Sequence, residues 1–196
     1  MKFFLRKIKL VITRFINNIR LSIKFMKKSS VIMKIKHTTG IKFLKLGKNI
    51  FIDDGCRLDC YKVDKDNPVF EIGDNVRISF NFTGLCSSKL IIEDDVLIAS
   101  DVFVSTENHG INDLTKKYID QQLVSKDVII SRGARIGEKA CILPGVKIGI
   151  KSIVGANSVV TKDVPDFTMV AGNPAKIIKK YNFDSKMWVK YEEESN

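Results

Sequence analysis

An aliphatic residue recurs at every sixth position through the second half of the chain, at Ile130, Ile136, Ile142, Ile148, Val154 and Val160. Four positions after each comes a small one: Ala134, Ala140, Val146, Ser152, Ser158 and Val164. In an α-helix a six-residue step turns about 600°, so successive aliphatics would point in three directions and mark no single buried face. Extended chain puts positions i and i+4 on the same side. Gly137, Gly149 and Gly155 supply backbone freedom where such a strand must bend. Hexapeptide periodicity is the signature of a parallel β-helix, a coil that hides its apolar edge only by stacking on its neighbours.

The same phase is present earlier with interruptions. Leu46, Ile52 and Leu58 carry it, then Ile72 and Ile78, then Ile92, Ile98 and Val104. The small or apolar partners are Ile50, Cys56, Val76, Phe82, Val96 and Val102, with Asn108 at the last position. Leu58 to Ile72 and Ile78 to Ile92 each exceed two hexads by two residues, which reads as two-residue excursions at corners. The third break is of another kind. Residues 110–127 are polar, charged and aperiodic, so a protruding loop is expected there, and long loops on compact scaffolds are more often functional than idle.

Charge is unevenly placed. Of the 33 Lys and Arg, 14 fall in residues 1–52, where there is no acid; the remainder holds 19 basic and 22 acidic residues, a balance of 3 negative. The repeat domain therefore lacks the basic surface that nucleic acid requires. The first 36 residues alternate apolar (Phe4, Ile8, Val11, Ile12, Phe15, Ile19, Ile23, Met26) with basic positions as an amphipathic helix. Charges interrupt it too often for a membrane span or an export signal. It suits an anionic membrane surface, with packing on the repeat domain or on a second subunit as the alternative. A cytoplasmic protein, peripheral on the inner face of the membrane, is the expectation. Cys56, Cys60, Cys86 and Cys141 show no zinc spacing and read as buried thiols, and His37 reads as a surface residue.

Three segments carry a resemblance. Ile142-Leu143-Pro144-Gly145-Val146, the run Ile153-Val154-Gly155-Ala156-Asn157-Ser158-Val159-Val160-Thr161-Lys162-Asp163-Val164-Pro165, and Val170-Ala171-Gly172-Asn173-Pro174-Ala175-Lys176 resemble the closing coils of hexapeptide-repeat acyltransferases, nearest the sugar O-acetyltransferase and galactoside or maltose acetyltransferase branch. The resemblance implies a left-handed coil, a homotrimer and dependence on acetyl-CoA. The organisation expected is a helical segment over 1–36, a β-helix domain over 37–174, and a C-terminal helix and tail over 175–196. Pro174 would open that helix, and Phe183 and Trp188 would pack it on the body.

Acetyl transfer to a hydroxyl needs a base for the hydroxyl proton, and imidazole titrates in the right range. His109, at the mouth of the long loop, matches the family's catalytic histidine. Glu107 is its candidate orienting partner, since in a strand the two share a side. Asn81, Asp101 and Asn108 join Glu107 on the acceptor side by resemblance, although Asp101 stands where relatives often carry Asn, and Asn81 reads equally as a ladder-capping residue. For coenzyme A, Gly137, Gly155 and Ala156 let backbone approach the pantetheine closely, and Thr161, Lys162, Lys176 and Lys179 offer hydroxyl and cationic groups for the phosphates, Lys162 and Lys176 at positions matching those that relatives use. Arg135 replaces a Trp common in relatives. No metal is expected, because a zinc site on this scaffold needs three histidines and the repeat domain offers His109 alone. The leading reading is O-acetylation of a saccharide, such as a surface polysaccharide or its precursor. Serine, an amino sugar or an antibiotic as acceptor, and a non-catalytic trimeric scaffold, are the alternatives.

Overall fold

A computed structural model describes residues 12, 16, 30–63 and 66–192. Three parallel sheets form the walls of a triangular coil. The first aligns Ile32, Ile52, Ile78, Ile98, Ile136, Val154 and Val170 in register. The second aligns Thr38, Leu58, Gly84, Val104, Ile142 and Val160, and the third Leu46, Ile72, Ile92, Ile130 and Ile148. The hexad thus means one step to the next wall. All six repeat aliphatics from Ile130 to Val160 are buried, as are the residues four positions later, which fill the corners.

Gly84 occupies an aliphatic slot. A Cβ there would come within 2.7 Å of the Phe70 ring and 3.0 Å of Phe82, so these two buried rings replace the missing side chain on the coil axis. This absent aliphatic makes the interval from Ile78 to Ile92 look like a single break; the excess lies wholly between Gly84 and Ile92, as a two-residue excursion. The interval from Leu58 to Ile72 is a different case and corrects the expectation of two extra residues: it is one step between the second and third walls, lengthened by eight. Every long interval, Thr38 to Leu46, Leu58 to Ile72, Gly84 to Ile92 and Val104 to Ile130, lies at this one corner.

Two boundaries differ from expectation. Val31–Ile32 already pairs with Phe51–Ile52, so the coil begins before residue 37. The C-terminal helix is absent: Ala175–Asn182 is a strand antiparallel to Thr168–Gly172, followed by Met187–Lys190 antiparallel to it. Thr168–Gly172 would otherwise leave an open sheet edge with unpaired backbone groups, and pairing that edge outweighs the helix-forming run of lysines. Ile177 and Ala175 pack on the core, while Phe183 meets Phe167 edge-to-face at 5.0 Å and Trp188 meets Tyr181 at 5.5 Å. The basic amphipathic segment lies largely outside the described residues; Ile12 and Ile16 are helical and exposed. Among the described residues no helix is long and apolar enough to cross a membrane.

Candidate active site

The second wall carries the site. Along its strands Arg57–Cys60, Thr83–Cys86 and Phe103–Ser105, every other side chain points away from the core. Beyond Phe103–Ser105 the chain leaves the coil at the long corner. Thr106 anchors the departure: its hydroxyl accepts from the Ser87 N–H at 2.8 Å, and its carbonyl from the Lys126 N–H at 2.7 Å. Glu107–His109 then pairs antiparallel with Leu123–Ser125, so the excursion stands on a two-stranded stem, and residues 123–125 belong to that stem rather than to the loop. Unpaired backbone at the coil edge would be costly, and the hairpin satisfies it. At the far end Ile111, Leu114, Tyr118 and Ile119 are exposed, Leu114 by 86%.

His109 is exposed and lines a cavity of about 330 Å³ at the base of this excursion, with Tyr61, Leu85, Phe103, Ser105, Glu107, Asn108, Leu123, Leu143 and Pro144. Among the described residues no hydrogen bond reaches its ring. Glu107 is half-buried in the same cavity, and its Oε2 is buried without a partner. Burial pushes the Glu107 carboxyl up to about 7, with the Arg57 guanidinium opposing that rise. An exposed imidazole therefore shares the cavity with a half-buried carboxyl.

Asn81 and Asp101 lie elsewhere. Both have positive φ, 58° each, and sit one coil apart at the same bend, the Asn81 amide donating to Asp101 Oδ1 at 3.0 Å. A second ladder repeats the device, Asn49 to Asn75 at 2.9 Å and Asn75 to Asp95 at 3.0 Å. Asn and Asp tolerate left-handed backbone better than other side chains, which explains both residues without a ligand. They line a separate cavity of about 560 Å³ with Lys36, His37, Gly55, Arg57 and Thr83. His37 is half-buried there and donates from Nδ1 to Asp59 Oδ1, 2.7 Å away, so it is more than a surface residue. The hexad continued backwards from Leu58 through Ile52 fails at Leu46's corner, which concealed that His37 shares a register column with Arg57 and Thr83.

Of the residues selected for coenzyme A, Thr161, Lys162 and Lys176 line one cavity of about 460 Å³ near the last coil, together with Pro174, Ala175 and Tyr191. Two cations and a hydroxyl around a recess fit phosphate chemistry. Lys179 is exposed but does not line it. Gly137 and Gly155 meet a packing demand: a Cβ on Gly137 would come within 2.5 Å of the Ala156 nitrogen, and one on Gly155 within 2.9 Å of the Ala171 Cβ, so their bare faces serve coil stacking. Ala156 is exposed beside them. The lysine cavity and the His109 cavity are adjacent: Leu143 of one donates its N–H to the carbonyl of Val160 in the other, at 3.1 Å. Among the described residues no cluster of three or more His, Cys, Asp or Glu is placed to hold a metal ion.

No family model matches the chain. Individual proteins do. WbbJ of Escherichia coli (strain K12), which its name assigns to lipopolysaccharide biosynthesis as an O-acetyl transferase, is 36% identical over 159 residues, covering 75% of this chain and 76% of WbbJ. A galactoside acetyltransferase solved in complex with coenzyme A superposes with a TM-score of 0.63 at 29% identity, over 78% of this chain and 74% of that one. A hexapeptide-repeat acetyltransferase of Vibrio cholerae solved with acetyl coenzyme A gives 0.56 at 26%, over 84% and 77%.

Proposed function

Because the chain belongs to the hexapeptide-repeat acetyltransferases, in their sugar O-acetyltransferase branch, we propose that it transfers acetyl from acetyl-CoA to a saccharide hydroxyl by direct attack, with His109 as base. The acceptor oxygen attacks the thioester carbonyl while His109 takes its proton. The tetrahedral oxyanion is held by backbone N–H groups, and its collapse expels the thiolate of coenzyme A, which recovers the proton from the imidazolium. Glu107, ionised, favours that imidazolium from the same face of the stem strand.

The observation that carries this reading is the adjacency of the two cavities, an exposed imidazole beyond the Val104 coil and a recess with two lysines at the Val160 coil, with Leu143 of the intervening coil lining the first. Thr161, Lys162 and Lys176 would hold the phosphates, and the pantetheine would run along the corner towards His109. The exposed apolar tip, Tyr118 and Ile119 included, would seat on a neighbouring subunit of a homotrimer whose coils are left-handed. WbbJ's name favours a surface-glycan precursor as acceptor, met at the inner face of the membrane through residues 1–36. Thiol release from acetyl-CoA is the assay, run over sugars, serine, amino sugars and chloramphenicol. Release with a sugar hydroxyl, abolished by His109→Ala, is the expected result; transfer to amines alone would overturn it.

A further inference from the structure

The cavity that Asn81 and Asp101 share with His37 has a construction the acetyl-transfer chemistry does not use. Asp59 is 2% exposed, yet it is a carboxylate with three donors gathered on it. Oδ1 faces His37 Nδ1 at 2.7 Å and accepts from the Thr39 hydroxyl at 3.1 Å, and Oδ2 accepts from Arg57 Nε. A buried carboxylate so arranged fixes two rotamer-rich side chains that would otherwise sweep through solvent. The Arg57 contact uses Nε, which leaves both terminal nitrogens for something else, and Lys36 lines the same recess. Coil stacking requires none of this. At the equivalent outward position of the next coils the chain places Thr83 and Phe103, which make no ion pair among the described residues.

Position gives the cluster its meaning. Thr83 lines this cavity and Leu85 lines the His109 cavity; they are two residues apart on one strand, about 7 Å. Arg57 is close enough to Glu107 to act on its ionisation. Three recesses therefore follow one another along the second wall: the Arg57 recess, the His109 recess, and the lysine recess one coil further.

We propose that the Arg57 recess is an acceptor subsite for an oxyanion, a carboxylate or phosphate group borne by the saccharide within about one sugar ring of the hydroxyl that is acetylated. Arg57 clamps the oxyanion through its terminal nitrogens, Lys36 and the His37 ring close on it, and Asp101 accepts from neighbouring hydroxyls. The inference rests on the acetyl-transfer reading for the identity of the ligand as an acceptor. It adds that the acceptor is acidic.

The test uses the full chain with acetyl-CoA and three probes, methyl glucuronide, glucose 1-phosphate and methyl glucoside, with thiol release as readout. At least one charged probe should exceed the neutral one in kcat/KM by about tenfold or more. Whichever charged probe prevails identifies the source of the oxyanion. In Arg57→Gln that charged-to-neutral ratio should fall to near one, while Arg57→Lys should retain part of it, and more for the phosphate. If Arg57→Gln fails to fold, Lys36→Gln, at an exposed position, should lower the same ratio by about threefold. A wild-type ratio near one, or a loss in Arg57→Gln equal for charged and neutral probes, overturns the subsite. Calorimetric titration of the same probes separates the two readings. Charged-probe binding that Arg57→Gln removes, with no thiol release from any probe, keeps the subsite and sinks the acetyl acceptor; no binding by either charged probe sinks the subsite.

Discussion

Residues 128–170 and residues 31–104 build the same coil by different means. In the later region each wall is one hexad up to Val160, after which Val164 joins the third wall four residues on, and the core is Ile and Val on Ala, Ser and Val. In the earlier region the second-to-third corner is lengthened in every coil, Gly84 gives its place to two phenylalanine rings, and a carboxylate is buried beneath an arginine and a histidine. Regular coils stack, and stacking tolerates little else. The irregular coils concentrate their extra chain at one corner, and the His37–Asp59–Arg57 cluster and the His109 cavity lie along the wall that leads to it, while the lysine recess stands on the last regular coil.

Breaking the machinery without touching the coil should give the largest effect. His109→Ala is expected to cut acetyl transfer by about 10²–10⁴-fold, with the melting temperature unchanged, because an exposed ring with no hydrogen bond contributes nothing to the fold. The opposite break is nearly as large. Ile136→Ala removes a fully buried side chain from the regular region and should cost about 2–5 kcal/mol in chemical denaturation. If that variant unfolded as late as wild type, the later coils would not be the rigid part.

Lys162→Gln sharpens the division between the two adjacent cavities. It should raise KM for acetyl-CoA about fivefold to tenfold and leave the acceptor KM alone, and the wild-type advantage should shrink at high salt. A smaller, pH-dependent effect comes from Glu107. Burial raises its carboxyl from the ordinary 4.5 to about 7, so the folded chain binds a proton that the unfolded chain has released between those values. Stability is therefore lost as pH climbs from about 4.5 to about 7 and stays lost above. Glu107→Gln should melt later than wild type above pH 7, the gain vanishing below about 4.5, and the limb near 7 in the pH–rate profile should disappear with it. The smallest expected shift is in Leu114→Ser. At 86% exposure in the excursion it should leave the melting of the isolated subunit unchanged, and a weaker trimer by sedimentation would assign the tip to subunit contact.

The hexads at Ile130 to Val160 were legible because a solenoid repeats one local environment, and the same demand writes the same residue type each time. His109 could be nominated from its place beside the loop, and Thr161, Lys162 and Lys176 from the segments around the last coil; the structure places the first in one cavity and the other three together in a second. What the sequence did not show of Gly137 and Gly155 is that the next coil leaves no room for a side chain at either position. The terminal run from Ala175 misled, because its lysines favour helix locally and only an open sheet edge elsewhere in the chain makes it a strand.

By itself, then, the sequence determined a stacked parallel coil and where its chain departs from the period, for periodicity is a local property that each hexad declares. The tertiary structure decided which residues share a wall. His37, Arg57 and Thr83 are far apart in the chain and meet only because successive coils are held about 4.8 Å apart by hydrogen bonds. That spacing, which no single segment encodes, brings a histidine of plain appearance onto a buried aspartate that also holds an arginine.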